Sequence, residues 1–216
     1  MLRTKILAGS ITNLTDARYF AAMGVEWMGF NLNPGDDSFM PPVQVQAIKE
    51  WVEGPAILGE FNMQSAEEIQ KLSTDLDLDA IQVGMFTEVE TLQAVATNLP
   101  VIKEIVLEKS LSREQLEETL QSFVPHVQYF LLDFAKNKWT LEDLEEHTAI
   151  NWAYIQQLCE SYPILLHLGF PGDQILDVLE DLEPAGLKVL GGEEEKVGYK
   201  SFEELDELLE GLEEEN

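Results

Sequence analysis

Asp133 ends an apolar run, Tyr129-Phe130-Leu131-Leu132, and His167 ends another, Ile164-Leu165-Leu166. Glu60, Gln82 and Glu104 stand at the close of similar short runs. A carboxyl group and an imidazole at the ends of separate segments are the residue types of general acid–base chemistry. Burial or a neighbouring charge tunes either group towards that work. Other chemistries lack their signatures. His126, His147 and His167 lie on separate segments, and no His/Cys/Asp cluster has metal-ligand spacing. There is no dinucleotide fingerprint, Walker loop or nucleophilic triad pattern, and no cofactor or metal is expected. The lone cysteine, Cys159, falls in a helical stretch and reads as a small residue near the core.

The elements that must position these residues alternate regularly. β-rich apolar runs occur at Lys5–Ala8, Trp27–Asn31, Ala56–Phe61, Ala80–Val83, Val101–Val106, Tyr129–Leu132, Ile164–His167 and Leu187–Leu190. Helical periodicity fills the intervals: Val89, Leu92, Val95, Ala96 and Leu99 share one face, as do Leu116, Leu120, Phe123 and Val124. Ile175, Val178, Leu179 and Leu182 make a third face, and Phe202, Leu205, Leu208, Leu209 and Leu212 a fourth. Ser65 followed by Glu68 has capping-box spacing. Met23-Gly24 and Ala185-Gly186 read as helix stops before strands. The long stretch Phe134 to Tyr162 is expected to hold an irregular loop and a helix. Strict β–α alternation implies a parallel sheet covered by helices. Eight such units predict an α/β fold, a (β/α)8 TIM barrel forming a single domain over residues 1–216, with 213–216 an acidic tail. In such a barrel, chemistry gathers at the C-terminal strand ends.

Lys and Arg number 13 against 41 Asp and Glu, a formal net charge of −28. Nucleic acid and anionic membrane surfaces are excluded as partners, since both are recognised by cationic residues. The acidity fits either a high-salt cytoplasm or ordinary solvated helix exteriors. No run of about 18 apolar residues marks a transmembrane helix, and the N-terminal residues lack a long apolar signal region. The expected location is cytoplasmic.

Several segments, in order, resemble the phosphoribosylanthranilate isomerase family. Lys5-Ile6 through Ile11-Thr12-Asn13 to Asp16-Ala17 is similar to the family's K-I-C-G-I-T-N-x-x-D-A. Gly24 to Gly29-Phe30 resembles G-A-D-x-x-G-F, Gly59 to Gln64-Ser65 resembles G-V-F-V-N-Q-S, and Leu78 to Gln82 resembles L-D-x-V-Q. Val101 to Lys103 and Leu131 to Asp133 match strands five and six. Gly191-Gly192-Glu193 and Val197-Gly198-Tyr199-Lys200 resemble S-S-G-V-E and P-G-x-K-D.

The resemblance implies an eight-stranded barrel and an Amadori rearrangement in tryptophan biosynthesis, an aldose–ketose isomerisation of a small phosphorylated metabolite. It implies Asp133 as general acid, Gln82 as a substrate contact, and Gly169, Gly191 and Gly192 as a phosphate corner. Alignment on Ile11-Thr12 puts Gly9 where the family has its basic cysteine; a shifted register puts Leu7 or Ala8 there. None of the three accepts a proton, so Glu60 and His167 are the candidate replacement bases. Ser38 takes the place of the substrate-contacting arginine, and Gly84 that of a histidine. Leu144 to His147 replaces a glycine-rich loop. Two functions stay open: an active isomerase with a relocated base, as monomer or homodimer, and a barrel of the same descent that binds another small metabolite or a protein partner. The negative field makes a kinetic prediction. Association of a phosphorylated ligand, followed by stopped flow, should speed up several-fold as salt rises from about 10 to about 150 mM and the Debye length shrinks from about 30 to about 8 Å. A rate that falls over that range contradicts it.

Overall fold

The computed structural model describes residues 2–95, 98–191, 194–196, 199–200 and 202–213. Gly192 and Glu193 of the expected phosphate corner, Val197 and Gly198, Ala96 of the expected α4 face, and tail residues 214–216 lie outside the described residues. Within the described residues, eight parallel strands close on themselves in sequence order. They are β1 (Lys5–Gly9), β2 (Trp27–Asn31), β3 (Ala56–Phe61), β4 (Ala80–Val83), β5 (Val101–Val106), β6 (Tyr129–Asp133), β7 (Ile164–His167) and β8 (Gly186–Leu190). The expected (β/α)8 architecture is therefore the observed one. A short antiparallel ribbon, β9 (Glu194–Lys196) with β10 (Tyr199–Lys200), follows β8. No helix of the described residues is long and apolar enough to cross a membrane.

Both faces of each barrel strand are covered, and the period-2 alternation of side chains sorts them. Leu7, Trp27, Leu58, Ala80, Ile102, Leu131 and Leu165 pack together as one cluster, the apolar filling of the barrel. Their neighbours Ile6, Ala8, Met28, Ile57, Ile81, Phe130 and Leu166 join a second cluster with helix residues such as Ile69, Leu116 and Val178. Two residues beyond the inner cluster on each strand, the chain reaches the barrel mouth.

The helices are α1 (Leu14–Met23), α2 (Pro42–Lys49), α3 (Ala66–Asp75), α4 (Val89–Ala94), α5 (Arg113–Phe123), α6 (Leu141–Glu146), α7 (Trp152–Ser161), α8 (Gly172–Leu182) and α9 (Glu203–Glu210). Ser65 and Glu68 form the expected capping box on α3, and Gly24 ends α1 in the left-handed conformation at φ 70°. Three expectations are corrected. Helix α4 stops at Ala94, because Val95 turns extended; Leu99 packs on the core from outside the helix. Val124 is exposed and opens a 3-10 turn ahead of Pro125, rather than extending the α5 face. Gly186 does not stop a helix: α8 ends at Leu182 with Glu183 left-handed at φ 43°, and Gly186 begins β8. The stretch from Phe134 to Tyr162 folds as a 3-10 turn, α6 and α7, pinned by Trp139, whose buried Nε1 donates to Leu107 O at 2.9 Å.

Gly186 closes the barrel by contact with β1. A Cβ there would lie 2.4 Å from the Lys5 carbonyl oxygen and 2.8 Å from Leu165 Cδ2. Backbone on one side cannot yield without breaking the β1–β8 ladder. Gly186→Ala should therefore lower unfolding free energy by about 1–3 kcal/mol, the usual range for overpacking. Urea denaturation checks this, and an unchanged midpoint contradicts it.

Candidate active site

Each strand delivers one position to the rim of the mouth, two residues above the apolar filling: Gly9, Asn31, Glu60, Gln82, Glu104, Asp133, His167 and Lys188. On β2 the count is four residues above Trp27, with Gly29 between. The polar members of this ring line a cavity of about 520 Å³, joined by Ser10, Asn33, Asp36, Ser38 and Lys136 from the loops. All seven side chains of the ring are buried.

Lys188 and Glu60 form its centre. Lys188 Nζ donates to Glu60 Oε1 at 3.1 Å and to Gln82 Oε1 at 3.0 Å. The pair reaches from β8 to β3 across β1 and β2, the two strands with glycine at the intervening level. A Cβ on Gly9 would sit 2.2 Å from Lys188 Cε, and one on Gly29 would sit 2.7 Å from Glu60 Oε1. The glycines thus clear the room that the ion pair occupies. Ser10 completes the shell: its backbone N–H donates to Glu60 Oε1 at 3.1 Å and its hydroxyl to Oε2 at 2.9 Å. To do so it adopts φ 51°, a left-handed conformation disfavoured for a residue with a Cβ. Burial alone would raise the Glu60 carboxyl, but Lys188 and Ser10 outweigh it and hold the group below its ordinary value.

A second cluster stands on β5, β6 and β7. Asp133 Oδ1 accepts from the Lys136 backbone N–H at 2.9 Å. Its Oδ2 lies 3.0 Å from His167 Nδ1 and 3.7 Å from Lys136 Nζ. The contact with His167 is close but off the line of an aligned hydrogen bond, so both atoms keep bonding capacity. Lys136 Nζ donates to Glu104 Oε1 at 2.7 Å. Burial opposes ionisation of Asp133, yet His167 and then Lys136 outweigh it and bring the carboxyl down to about 2. Asp133 is an anion at neutral pH. Lys136 is shifted up, because Glu104 more than offsets its desolvation.

The structure brings Asp133, His167, Glu60 and Gln82 into one mouth. Of the phosphate-corner glycines, Gly169 faces Ala135, with a Cβ position 3.6 Å from Ala135 Cα, and Gly191 faces a carboxylate, with a Cβ position 2.6 Å from Asp16 Oδ2. Ser38 stands at the rim, where its hydroxyl accepts from Asn31 Nδ2 at 2.8 Å. The segment aligned with the glycine-rich loop is the end of α6 and the turn after it. There His147 Nδ1 accepts from the N–H groups of Ala149 and Ile150, so Nε2 carries the proton and donates to Lys109 O at 2.9 Å. Cys159 lies on α7, half-buried, and burial pushes its thiol up to about 12. Among the described residues, no group of three or more His, Cys, Asp or Glu converges as a metal site. Lys188 and Lys136 were not anticipated. Lys188 could have been found by counting in twos along β8, since Gly186 and Lys188 share the inward face. Lys136 sits in a loop and has no such signal.

A closed (β/α)8 barrel with carboxylates, an imidazole and two lysines around its C-terminal mouth defines a scaffold for acid–base chemistry. The chain belongs to the N-(5'phosphoribosyl)anthranilate (PRA) isomerase family, matched over residues 9–211. It is 25% identical over 212 residues to the N-(5'-phosphoribosyl)anthranilate isomerase of Trichormus variabilis, covering 98% of each chain. The crystal structure of phosphoribosyl anthranilate isomerase from Thermus thermophilus superposes with a TM-score of 0.75 at 26% identity, over 97% of this chain and 98% of that one. A phosphoribosyl anthranilate isomerase in complex with reduced 1-(o-carboxyphenylamino)-1-deoxyribulose 5-phosphate has the same fold, with a TM-score of 0.77 at 18% identity and coverage of 97% and 98%.

The buried pair should respond asymmetrically to mutation. Lys188→Met leaves Glu60 as an uncompensated buried charge and is expected to cost about 3–5 kcal/mol, whereas Lys188→Met with Glu60→Leu should recover most of that loss. Chemical denaturation of the single and double variants measures it; a double variant no more stable than the single one contradicts the pairing.

Proposed function

We propose that this chain is a working PRA isomerase, a cytoplasmic enzyme that converts an aminoaldose phosphate into the aminoketose phosphate. The observation that carries this is the Asp133–His167 pair on β6 and β7 beside the Lys188–Glu60 pair that joins β8 to β3, all lining one cavity. Ring opening of the furanose needs a proton at the ring oxygen, and the rearrangement then needs a proton removed from the adjacent sugar carbon. An Asp133 carboxyl at about 2 holds no proton at neutral pH. Its part is to stabilise and aim an imidazolium on His167, which delivers the proton, much as a buried aspartate orients histidine in hydrolytic triads. Glu60 has both oxygens committed to Lys188 and Ser10. It serves to hold Lys188 rather than to meet the substrate directly.

The family membership and the end-to-end likeness to named isomerases support this reading over a barrel that has exchanged its ligand. The relative solved with reduced 1-(o-carboxyphenylamino)-1-deoxyribulose 5-phosphate holds the reduced form of an aminoketose phosphate of the kind proposed here. The phosphate would lie at the backbone around Gly169 and Gly191, as the residue resemblance implies.

Steady-state turnover of phosphoribosylanthranilate tests the proposal. Asp133→Asn and His167→Gln should each lower kcat by about 10²–10⁴-fold, the usual loss when an acid–base group is removed, with melting curves still cooperative. Absence of turnover by the unmodified protein across a wide range of salt would sink it.

A further inference from the structure

A proton must leave the sugar carbon next to the imine; of the positions aligned with the family's cysteine, Leu7 fills the barrel and Ala8 joins the outer cluster, so Gly9 is the one at the mouth. We propose that Lys188, reaching over from β8, is the catalytic base that takes this proton, with Glu60 storing the proton that Lys188 carries at rest. The proposal rests on the isomerase activity argued above.

Occupancy is the first support. A Cβ on Gly9 would lie 2.2 Å from Lys188 Cε and 3.0 Å from Lys188 Nζ. A side chain at the end of β1 and the lysine from β8 therefore exclude each other, and the amine takes up the space beside residue 9. The hydrogen bonds are the second support. Lys188 Nζ meets two acceptors, Glu60 Oε1 and Gln82 Oε1. A neutral amine has two N–H donors and one lone pair, so the bond to Gln82 survives transfer of a proton to Glu60 and the lone pair serves the substrate once it turns away from the acid. Lys188 is buried yet lines the cavity. Of the other groups considered, Cys159 is on α7, both Glu60 oxygens are committed, and His167 already serves as the proton donor.

When substrate fills the mouth and water leaves, both charges of the pair lose solvation, which favours the neutral forms. The proton passes along the existing hydrogen bond from Nζ to Oε1, leaving a carboxylic acid and an amine whose lone pair faces it; rotation about Cε–Nζ then turns the lone pair to the substrate, with one N–H kept on Gln82. The lone pair of the amine then takes the C2 proton. The C2–H electron pair forms the C1=C2 bond, and the C1=N π pair moves onto the substrate nitrogen. The resulting ammonium returns its proton to C1 as the C2 enol collapses to the ketone, and the enol proton restores the donor at His167. Glu60 then hands its stored proton back to Lys188, so every proton lent is recovered, and no oxidant or reductant is required.

The test uses Lys188→Ala with Glu60→Gln, which removes the base without stranding a buried charge. Turnover of phosphoribosylanthranilate should fall about 10²–10⁴-fold. Added methylamine, ethylamine and their less basic analogues should restore it, with a rate that rises with the basicity of the amine; a merely structural lysine gives no such dependence. Activity within threefold of the unmodified protein, or a folded, slow variant that no amine rescues, overturns the proposal. A second measurement is independent of turnover and of that variant's folding. The ¹⁵N resonance of Lys188 Nζ is read in the unmodified protein with the reduced carboxyphenylamino-deoxyribulose phosphate added. A neutral amine supports the base; an ammonium overturns it. Failure of the unmodified protein to turn over substrate instead strikes the isomerase activity itself, and the nitrogen signal still decides the state of the lysine.

Discussion

The ion pair between Glu60 and Lys188 is the interaction on which the mouth of this barrel depends. Two charges taken out of water lose several kcal/mol of solvation each, and they are tolerated only when geometry and further hydrogen bonds return it. Here the conditions are met from three further strands, β1, β2 and β4. Gln82 takes a second hydrogen bond from Lys188, Ser10 gives two to Glu60, and Gly9 and Gly29 withdraw to leave the space. The unusual backbone of Ser10 follows from the same need, since it turns an N–H and a hydroxyl onto one carboxylate.

Charge balance extends the constraint around the ring. Glu60, Glu104 and Asp133, with Asp36 and Asp37 from the loop after β2, supply five carboxylates, Lys188 and Lys136 two ammonium groups, and His167 one more cation when it is protonated. The low carboxyl of Asp133 and the raised amine of Lys136 are two views of this balance. A chain with a formal charge of −28 thus keeps two of its few lysines at the one place where an anionic sugar phosphate has to be handled. The helix exteriors carry the acidity; the mouth does not share it in full.

The departures from the family pattern belong together once the ion pair is in view. Gly9 is not a site emptied by loss of a side chain, because the lysine from β8 fills that volume. Glu60, which stands where the family has an apolar residue, is the partner that makes such a lysine tolerable. The end of α6, where glycines are expected, has become a capped helix and a turn closed by His147, so its backbone N–H groups are used internally.

Much of this was determined by the sequence alone. Alternation of apolar runs with amphipathic stretches placed all eight strands, within a residue or two at their ends, because a strand buried on both faces must be apolar throughout. It also marked Asp133, His167, Glu60 and Gln82 as strand-end residues. Tertiary structure alone decided which of these meet. Glu60 and Lys188 are 128 residues apart and are joined only by closure of the barrel; Asp133 and His167 are joined only by the register of β6 against β7. The roles changed accordingly. Glu60, readable as a free base from its position, is a committed partner, and Lys188, hidden in a run that reads as plain strand, stands at the centre. A one-dimensional pattern records which face a side chain takes, but not what stands across the barrel from it, and in a desolvated mouth the partner sets the chemistry.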